Sequence, residues 1–262
     1  MTTQCAIGLV AFVLAAMSLG HADAAEIPKD ERRSGATFMA PETQAMQNDD
    51  TANPGMLAVL DGETLWKQKA GTAGRACADC HADATASMRG VAARYPAFDE
   101  KSNRPVDLEQ RINLCRVRHQ QAPALADESL DMNALSALVG RQSRGLPIEA
   151  GADPRLAPFV ANGKKLFERR QGQLNLACAN CHDDNWDRRL AGSAITQAHP
   201  TGYPIYRLEW QGMGSLKRRL RSCMIGTRAQ PYQADDPEMV ELELYLMSRA
   251  NGMPIETPAV RP

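Results

Sequence analysis

The pentapeptides Cys77-Ala-Asp-Cys80-His81 and Cys178-Ala-Asn-Cys181-His182 place two thiols and an imidazole within one short segment, twice in one chain. C-x-x-C-H is the attachment pattern of c-type haem. The two cysteines form thioethers with the porphyrin, and the histidine supplies one axial ligand to the iron. The chain is therefore expected to carry two covalently bound c-type haems. Cys77, Cys80, Cys178 and Cys181 would hold the porphyrins, and His81 and His182 would ligate the irons. A shared zinc site would need four ligands, and the fold would have to bring together pairs that lie in opposite halves of the chain. A dithiol redox centre would need a βαβ setting, and no Val/Ile-rich strand flanks either motif.

The open question is the opposite face of each iron. Methionine is a common second ligand. Met132 and Met239 occupy equivalent places, but both lie on apolar helix faces where packing explains them. His119 and His199 are not equivalent to one another. A cysteine does recur: Cys115 follows His81, and Cys223 follows His182 at a similar remove. Two leftover cysteines in an exported protein commonly form a disulfide. The duplication favours the other reading, in which each cysteine ligates its own haem and lowers its potential relative to methionine.

The segments before these cysteines differ in charge. Glu109-Gln-Arg111-Ile-Asn113 precedes Cys115, whereas Lys217-Arg218-Arg219-Leu-Arg221 precedes Cys223, with Arg228 beyond it. Guanidinium groups bind oxyanions through charge-assisted hydrogen bonds, and cationic neighbours favour thiolate. The second site is the better candidate for anion chemistry. Arg111 and Arg219 each stand one helical turn before a cysteine, on one helix face with it. A solvated face or a docking patch for an acidic partner is the plainer account of the basic run.

The elements that must position these residues are duplicated. Gly62-Glu-Thr-Leu-Trp66 precedes Cys77 by the same interval as Gly163-Lys-Lys-Leu-Phe167 precedes Cys178. Gly145-Leu-Pro-Ile-Glu149 follows Cys115, and Gly252-Met-Pro-Ile-Glu256 follows Cys223, at nearly equal distances. The fold class is mainly α, as two tandem cytochrome c-like domains at 55–150 and 155–257, joined near Pro154 and Pro158. Amphipathic patterns at 56–69 and 157–170 predict the first helix of each. Leu135, Leu138 and Val139, and Leu242, Tyr245 and Leu246, predict a later helix with Asp131 or Asp235/Asp236 at its start. Gly145 and Gly252 predict its stop. Trp66 and Phe167 are placed against it. No sheet is expected. The stretch 26–54 is polar and reads as an extended N-terminal arm outside the core.

Ala6–Leu19 is an apolar run followed by small residues, so 1–25 reads as a secretory signal peptide. It lacks a basic n-region, which leaves an uncleaved anchor as the alternative. The expected address is the periplasm, with no membrane association after cleavage. The net charge of −1 gives no case for nucleic acid or a membrane surface.

At the paired haem motifs, the downstream cysteines and the basic segment before Cys223, residues 50–257 resemble the SoxA family of two-haem cytochromes from the thiosulfate-oxidising Sox system. The resemblance implies a heterodimer with a small c-type cytochrome, SoxX. It implies an L-cysteine S-thiosulfotransferase that oxidatively joins thiosulfate to a cysteine of the carrier SoxYZ, with electrons passing to a cytochrome acceptor. It also implies that Cys223 ligates the second haem and can carry an extra sulfur as a persulfide, and that Arg219 contacts substrate. Lys217, Arg218 and Arg221 are further substrate-binding candidates on charge alone. Cys115 would ligate the first haem, which some members lack. Sulfur transfer through Cys223 and radical coupling at the haem edge both remain open. The competing function is a two-haem electron carrier or peroxidase-like cytochrome.

Overall fold

The computed structural model describes residues 27–262, so the expected signal peptide lies outside the described residues. Ten α-helices lie in chain order among them: α1 (Pro41–Asn48), α2 (Gly55–Lys67), α3 (Ala78–His81), α4 (Ala84–Ser87), α5 (Leu108–Cys115), α6 (Leu130–Arg141), α7 (Ala157–Glu168), α8 (Cys178–His182), α9 (Leu216–Gly226) and α10 (Pro237–Arg249). None is long and apolar enough to cross a membrane.

Two helix pairs make the two cores. In the first half α2 packs on α6, and in the second α7 packs on α10. The expected apolar stripes are the buried faces: Val59 and Trp66 meet Leu135, Leu138 and Val139, while Phe167 meets Leu242, Tyr245 and Leu246. Phe167 is buried, and burial of a side chain that size contributes roughly 1.5–3 kcal/mol. The helices approach closely because the matched positions Gly62 and Gly163 have no side chain. A Cβ at Gly62 would stand 2.4 Å from the Ala134 carbonyl oxygen, and one at Gly163 would stand 2.1 Å from that of Glu241.

Ser129 caps α6 by accepting from the Met132 amide, and Asp131 sits in its first turn. Asp236 is the N-cap residue of α10, with its carboxylate turned back to the Gln233 amide. Beyond each helix Gly145 and Gly252 adopt left-handed φ of 79° and 86°, as expected of stops. The two Gly-x-Pro-Ile-Glu tails then bond to each other. The Gly145 amide donates to the Ile255 carbonyl (2.8 Å), and the Gly252 amide donates to that of Ile148 (2.9 Å). Ile148 and Ile255 fill a small apolar cluster at this joint.

The expectation of no sheet is corrected. Seven short strands are present among the described residues: β1 (Ala97–Asp99), β2 (Arg104–Val106), β3 (Arg189–Leu190), β4 (Ser193–Ala194), β5 (Ile205–Arg207), β6 (Gly212–Gly214) and β7 (Ala259–Arg261). They form hairpins β1-β2 and β3-β4 and a three-stranded sheet β6-β5-β7, with β7 parallel to β5. Strands this short, such as Arg104-Pro-Val106, give no room for alternation to register.

The arm is also more than a loose extension. It contains α1, and Ile27, Gln47 and Asn53 are buried. Asn53 donates to the Pro258 carbonyl (2.9 Å), and the Val260 amide donates to Gln47 Oε1 (3.2 Å). Polar side chains of the arm thus clamp it on the backbone of the C-terminal strand.

Candidate functional site

Each haem motif borders a cavity, the first through Cys77, Cys80 and His81 and the second through His182, with Cys178 and Cys181 off the second wall. The first cavity, of about 470 Å³, has Cys77, Cys80, His81 and Cys115 on its walls, with Trp66 and Leu135. The second, of about 420 Å³, has His182 and Cys223 on its walls, with Arg219, Leu220, Leu246 and Tyr203. The short helix α3 or α8 presents the histidine, and α5 or α9 brings in the cysteine. In both halves a motif histidine and a distant cysteine therefore share one cavity. His182 Nδ1 lies 2.6 Å from the Thr196 carbonyl oxygen. That bond makes Nδ1 the donor and leaves Nε2 for a metal, the usual arrangement behind a ligating histidine. The residues present fit a porphyrin with His and Cys on its two faces.

The other sixth-ligand candidates fall into place. Cys115 and Cys223 are unpaired and line different cavities. Met132 and Met239 are wholly buried between helices and line neither. His119 borders the first cavity and His199 the second. The 199–206 segment is largely buried. His199 is buried, its Nδ1 bonds the Arg33 carbonyl at 3.0 Å, and burial pushes its imidazole down to about 4. Burial also pushes the Cys115 thiol up, against the pull of Arg111 and Arg118.

The basic run on α9 divides by helical phase. Arg219 and Cys223, one turn apart, face the second cavity together. Lys217 is corrected as a substrate candidate. It is 3% exposed and pairs with Asp107 (2.8 Å) and Glu109 (3.2 Å) of the first half. The neighbouring carboxylates hold its ammonium above its ordinary range against the cost of burial. Arg218 stacks 3.9 Å over the Trp210 ring. Arg218 and Arg221 border a separate groove with Asp127 and Glu128, away from Cys223. Arg228 follows α9 at a left-handed φ of 56° and is not on the cavity wall. Of the four basic candidates, only Arg219 reaches the site.

The same geometry reveals residues that charge counting missed. Tyr95-Pro96 and Tyr203-Pro204 are both cis and stand at the same interval before Cys115 and Cys223. Each leads into a hairpin, β1-β2 or β5-β6, and Asp99 and Arg207 occupy the same strand position, equally far before their cysteines. In the first half, Asp99 pairs with Arg111 (2.8 Å) and Arg118 (3.3 Å), and Arg111 also donates to the Tyr95 hydroxyl (3.1 Å). Bonds from Ser102 and the two arginines hold the Asp99 carboxyl well below the usual range. In the second half, Arg207 and Arg219 both line the cavity. The repeated Tyr-Pro was the signal that could have exposed this exchange.

A family model for the SoxA/TsdA cytochrome c domain matches residues 61–148 and 162–255. The L-cysteine S-thiosulfotransferase subunit SoxA of Pseudaminobacter salicylatoxidans is 40% identical over 235 residues, covering 89% of this chain and 82% of the relative. The subunit of the same name from Rhodovulum sulfidophilum is 38% identical, covering 88% and 81%. The crystal structure of SoxXA from P. pantotrophus contains a chain that matches with a TM-score of 0.85 at 33% identity, covering 88% of this chain and 87% of that one.

Proposed function

The chain belongs to the SoxA/TsdA cytochrome c family, and from that premise we propose that it is the two-haem subunit of a periplasmic L-cysteine S-thiosulfotransferase. Its partner is a SoxX-like small cytochrome c, forming a heterodimer, and its second substrate is the thiol of a SoxYZ-like carrier protein. One observation carries the reading: His182, Cys223 and Arg219 converge on one cavity of about 420 Å³.

The overall step joins the carrier thiol to the outer sulfur of thiosulfate. One S–S bond forms, the S–H bond breaks, and one proton and two electrons are released. Haem, when bound, supplies one-electron acceptor capacity beside the sulfur chemistry. Cys77, Cys80, Cys178 and Cys181 would attach the two haems, and His81 with Cys115 and His182 with Cys223 would ligate them. Arg219 binds the sulfonate oxygens of thiosulfate and aims its outer sulfur at Cys223 Sγ. Leu220 and Leu246 border the pocket and keep water from the reacting sulfurs. Cys223 Sγ bonds the outer sulfur of thiosulfate, the sulfonate stays attached, and two electrons pass to the cytochrome acceptor. The carrier thiolate then attacks that outer sulfur and displaces the Cys223 thiolate, as in thiol exchange. A persulfide on Cys223 would be that outer sulfur retained after water removes the sulfonate as sulfate.

Replacement Cys223→Met tests the reading. The haem-loaded variant is expected to form no carrier–thiosulfate conjugate, followed by the mass of the carrier. Full conjugation by the variant would overturn it. The mass of the wild-type protein as isolated counts its haems and any sulfur added at Cys223.

A further inference from the structure

We propose that Arg207 is the second anion-binding residue of the Cys223 cavity, and that the exchange of Asp99 for Arg207 between the halves makes the second cavity, and not the first, accept a sulfur oxyanion. The inference rests on the function proposed above and names what selects its substrate.

The two cavities are built alike, so their differences are informative. In the first, the arginine one turn before the cysteine is bound: Arg111 meets Asp99 at 2.8 Å and the Tyr95 hydroxyl at 3.1 Å. An incoming dianion would have to displace a buried carboxylate. In the second, the equivalent strand position holds Arg207, and no carboxylate is paired with Arg219 among the described residues. Each wall carries four arginines, Arg75, Arg94, Arg111 and Arg116 in the first and Arg189, Arg207, Arg219 and Arg261 in the second. The contrast therefore lies in the arginine one turn before the cysteine: Arg111 is held by Asp99, whereas Arg219 shares its wall with Arg207.

The side chain of Arg207 is also incompletely engaged. Its Nη2 bonds Glu209 at 2.6 Å, but that carboxylate is 66% exposed, where water competes strongly for it. The guanidinium stands 4.9 Å over the Trp210 ring, which fixes its plane. Its Nε is buried and has no hydrogen-bond partner. A buried donor of a charged group left without an acceptor is costly. A tetrahedral sulfonate offers three acceptor oxygens, enough for the guanidiniums of Arg207 and Arg219 together.

Haem-loaded protein is assayed in two ways: thiosulfate binding by calorimetry, and thiosulfate conjugation to the carrier thiol. Arg207→Asp restores the first-half arrangement. It is expected to weaken binding and raise KM at least about tenfold, the loss of a charge-assisted contact, with the Soret spectrum unchanged. Arg207→Lys keeps the charge and is expected to recover part of the affinity. Glu209→Gln frees Arg207 without altering the wall and is expected to tighten binding. Wild-type affinity in Arg207→Asp, or no tightening in Glu209→Gln, overturns the role of Arg207. Wild-type protein that binds thiosulfate but conjugates none would instead overturn the proposed function and leave the binding comparison standing.

Discussion

Lys217 and Asp107 form a 2.8 Å ion pair with side chains 3% and 2% exposed, joining the helix that carries Cys223 to the helix that carries Cys115. Asp107 also caps α5 by accepting from the Gln110 amide at 2.8 Å. The positions of the two cysteines are therefore tied through one buried contact. Glu109 reaches the same ammonium at 3.2 Å, and the carboxylates of Glu128 and Glu243 act on the cluster from α9's surroundings and α10.

Lys217→Met is expected to destabilise the holoprotein by about 3–5 kcal/mol, because it leaves buried carboxylates without their cation. Paired replacement of Lys217 by Met and Asp107 by Asn is expected to cost less, since fewer unpaired charges remain. Denaturant unfolding measures both. A loss of thiosulfate affinity with unchanged stability in Lys217→Met would return this lysine to the substrate site.

Burial pushes Glu109 up to about 7 from 4.5, with repulsion from Asp107 and Glu128 adding to it and Lys217 opposing it. The folded state then holds a proton that the unfolded chain releases. This contribution to stability is full below about 4.5 and is lost as pH rises towards about 7. Glu243 is raised in the same direction by burial and by Asp107. Glu109→Gln is expected to flatten the slope of stability against pH in that window. An unchanged slope would show that Glu109 is ionised throughout.

Much of this site was legible because its marks are local. C-x-x-C-H confines haem attachment to one short segment, and recurrence of Cys115 and Cys223 points to a shared role. The helix stripes of Leu135 and Leu242 follow from periodicity alone. Lys217 was not legible, because its partners Asp107 and Glu109 lie in the other half of the chain. It shares a charge run with Arg219, yet an offset of half a turn sends it to the opposite side of α9. Arg207 was missed because it lies outside that run, at the end of the short strand Ile205–Arg207.

Gly62→Ala and Gly163→Ala are expected to destabilise their halves by about 1–3 kcal/mol each, the usual cost of overpacking. The blocking atoms are backbone carbonyl oxygens at 2.4 and 2.1 Å, so the clash cannot be relieved by turning a side chain. Helices α2 and α6, or α7 and α10, must separate instead. Thermal unfolding measures the loss, and wild-type melting in either variant would show that the crossing can relax.

Arg111 and Arg219 stand at the same place in the two halves but are expected to fail differently when replaced. Arg111 is committed to Asp99, whose side chain is only 5% exposed. Arg111→Gln leaves that carboxylate with Arg118 and Ser102 alone, and about 1–3 kcal/mol of stability is expected to be lost. Thiosulfate KM should not move if, as proposed, only the second cavity takes substrate. Arg219 bonds no protein carboxylate among the described residues, so Arg219→Gln removes no folded-state pair. Its melting should stay near wild type while KM rises about tenfold to a hundredfold, the worth of one or two charge-assisted bonds. Unfolding and initial-rate measurements on the two variants give a crossed pattern if the cysteine-side arginine is structural in one half and substrate-binding in the other. Equal losses of stability in both, with no change in KM, would make Arg219 a second structural arginine and leave the cavity without its proposed anion hold.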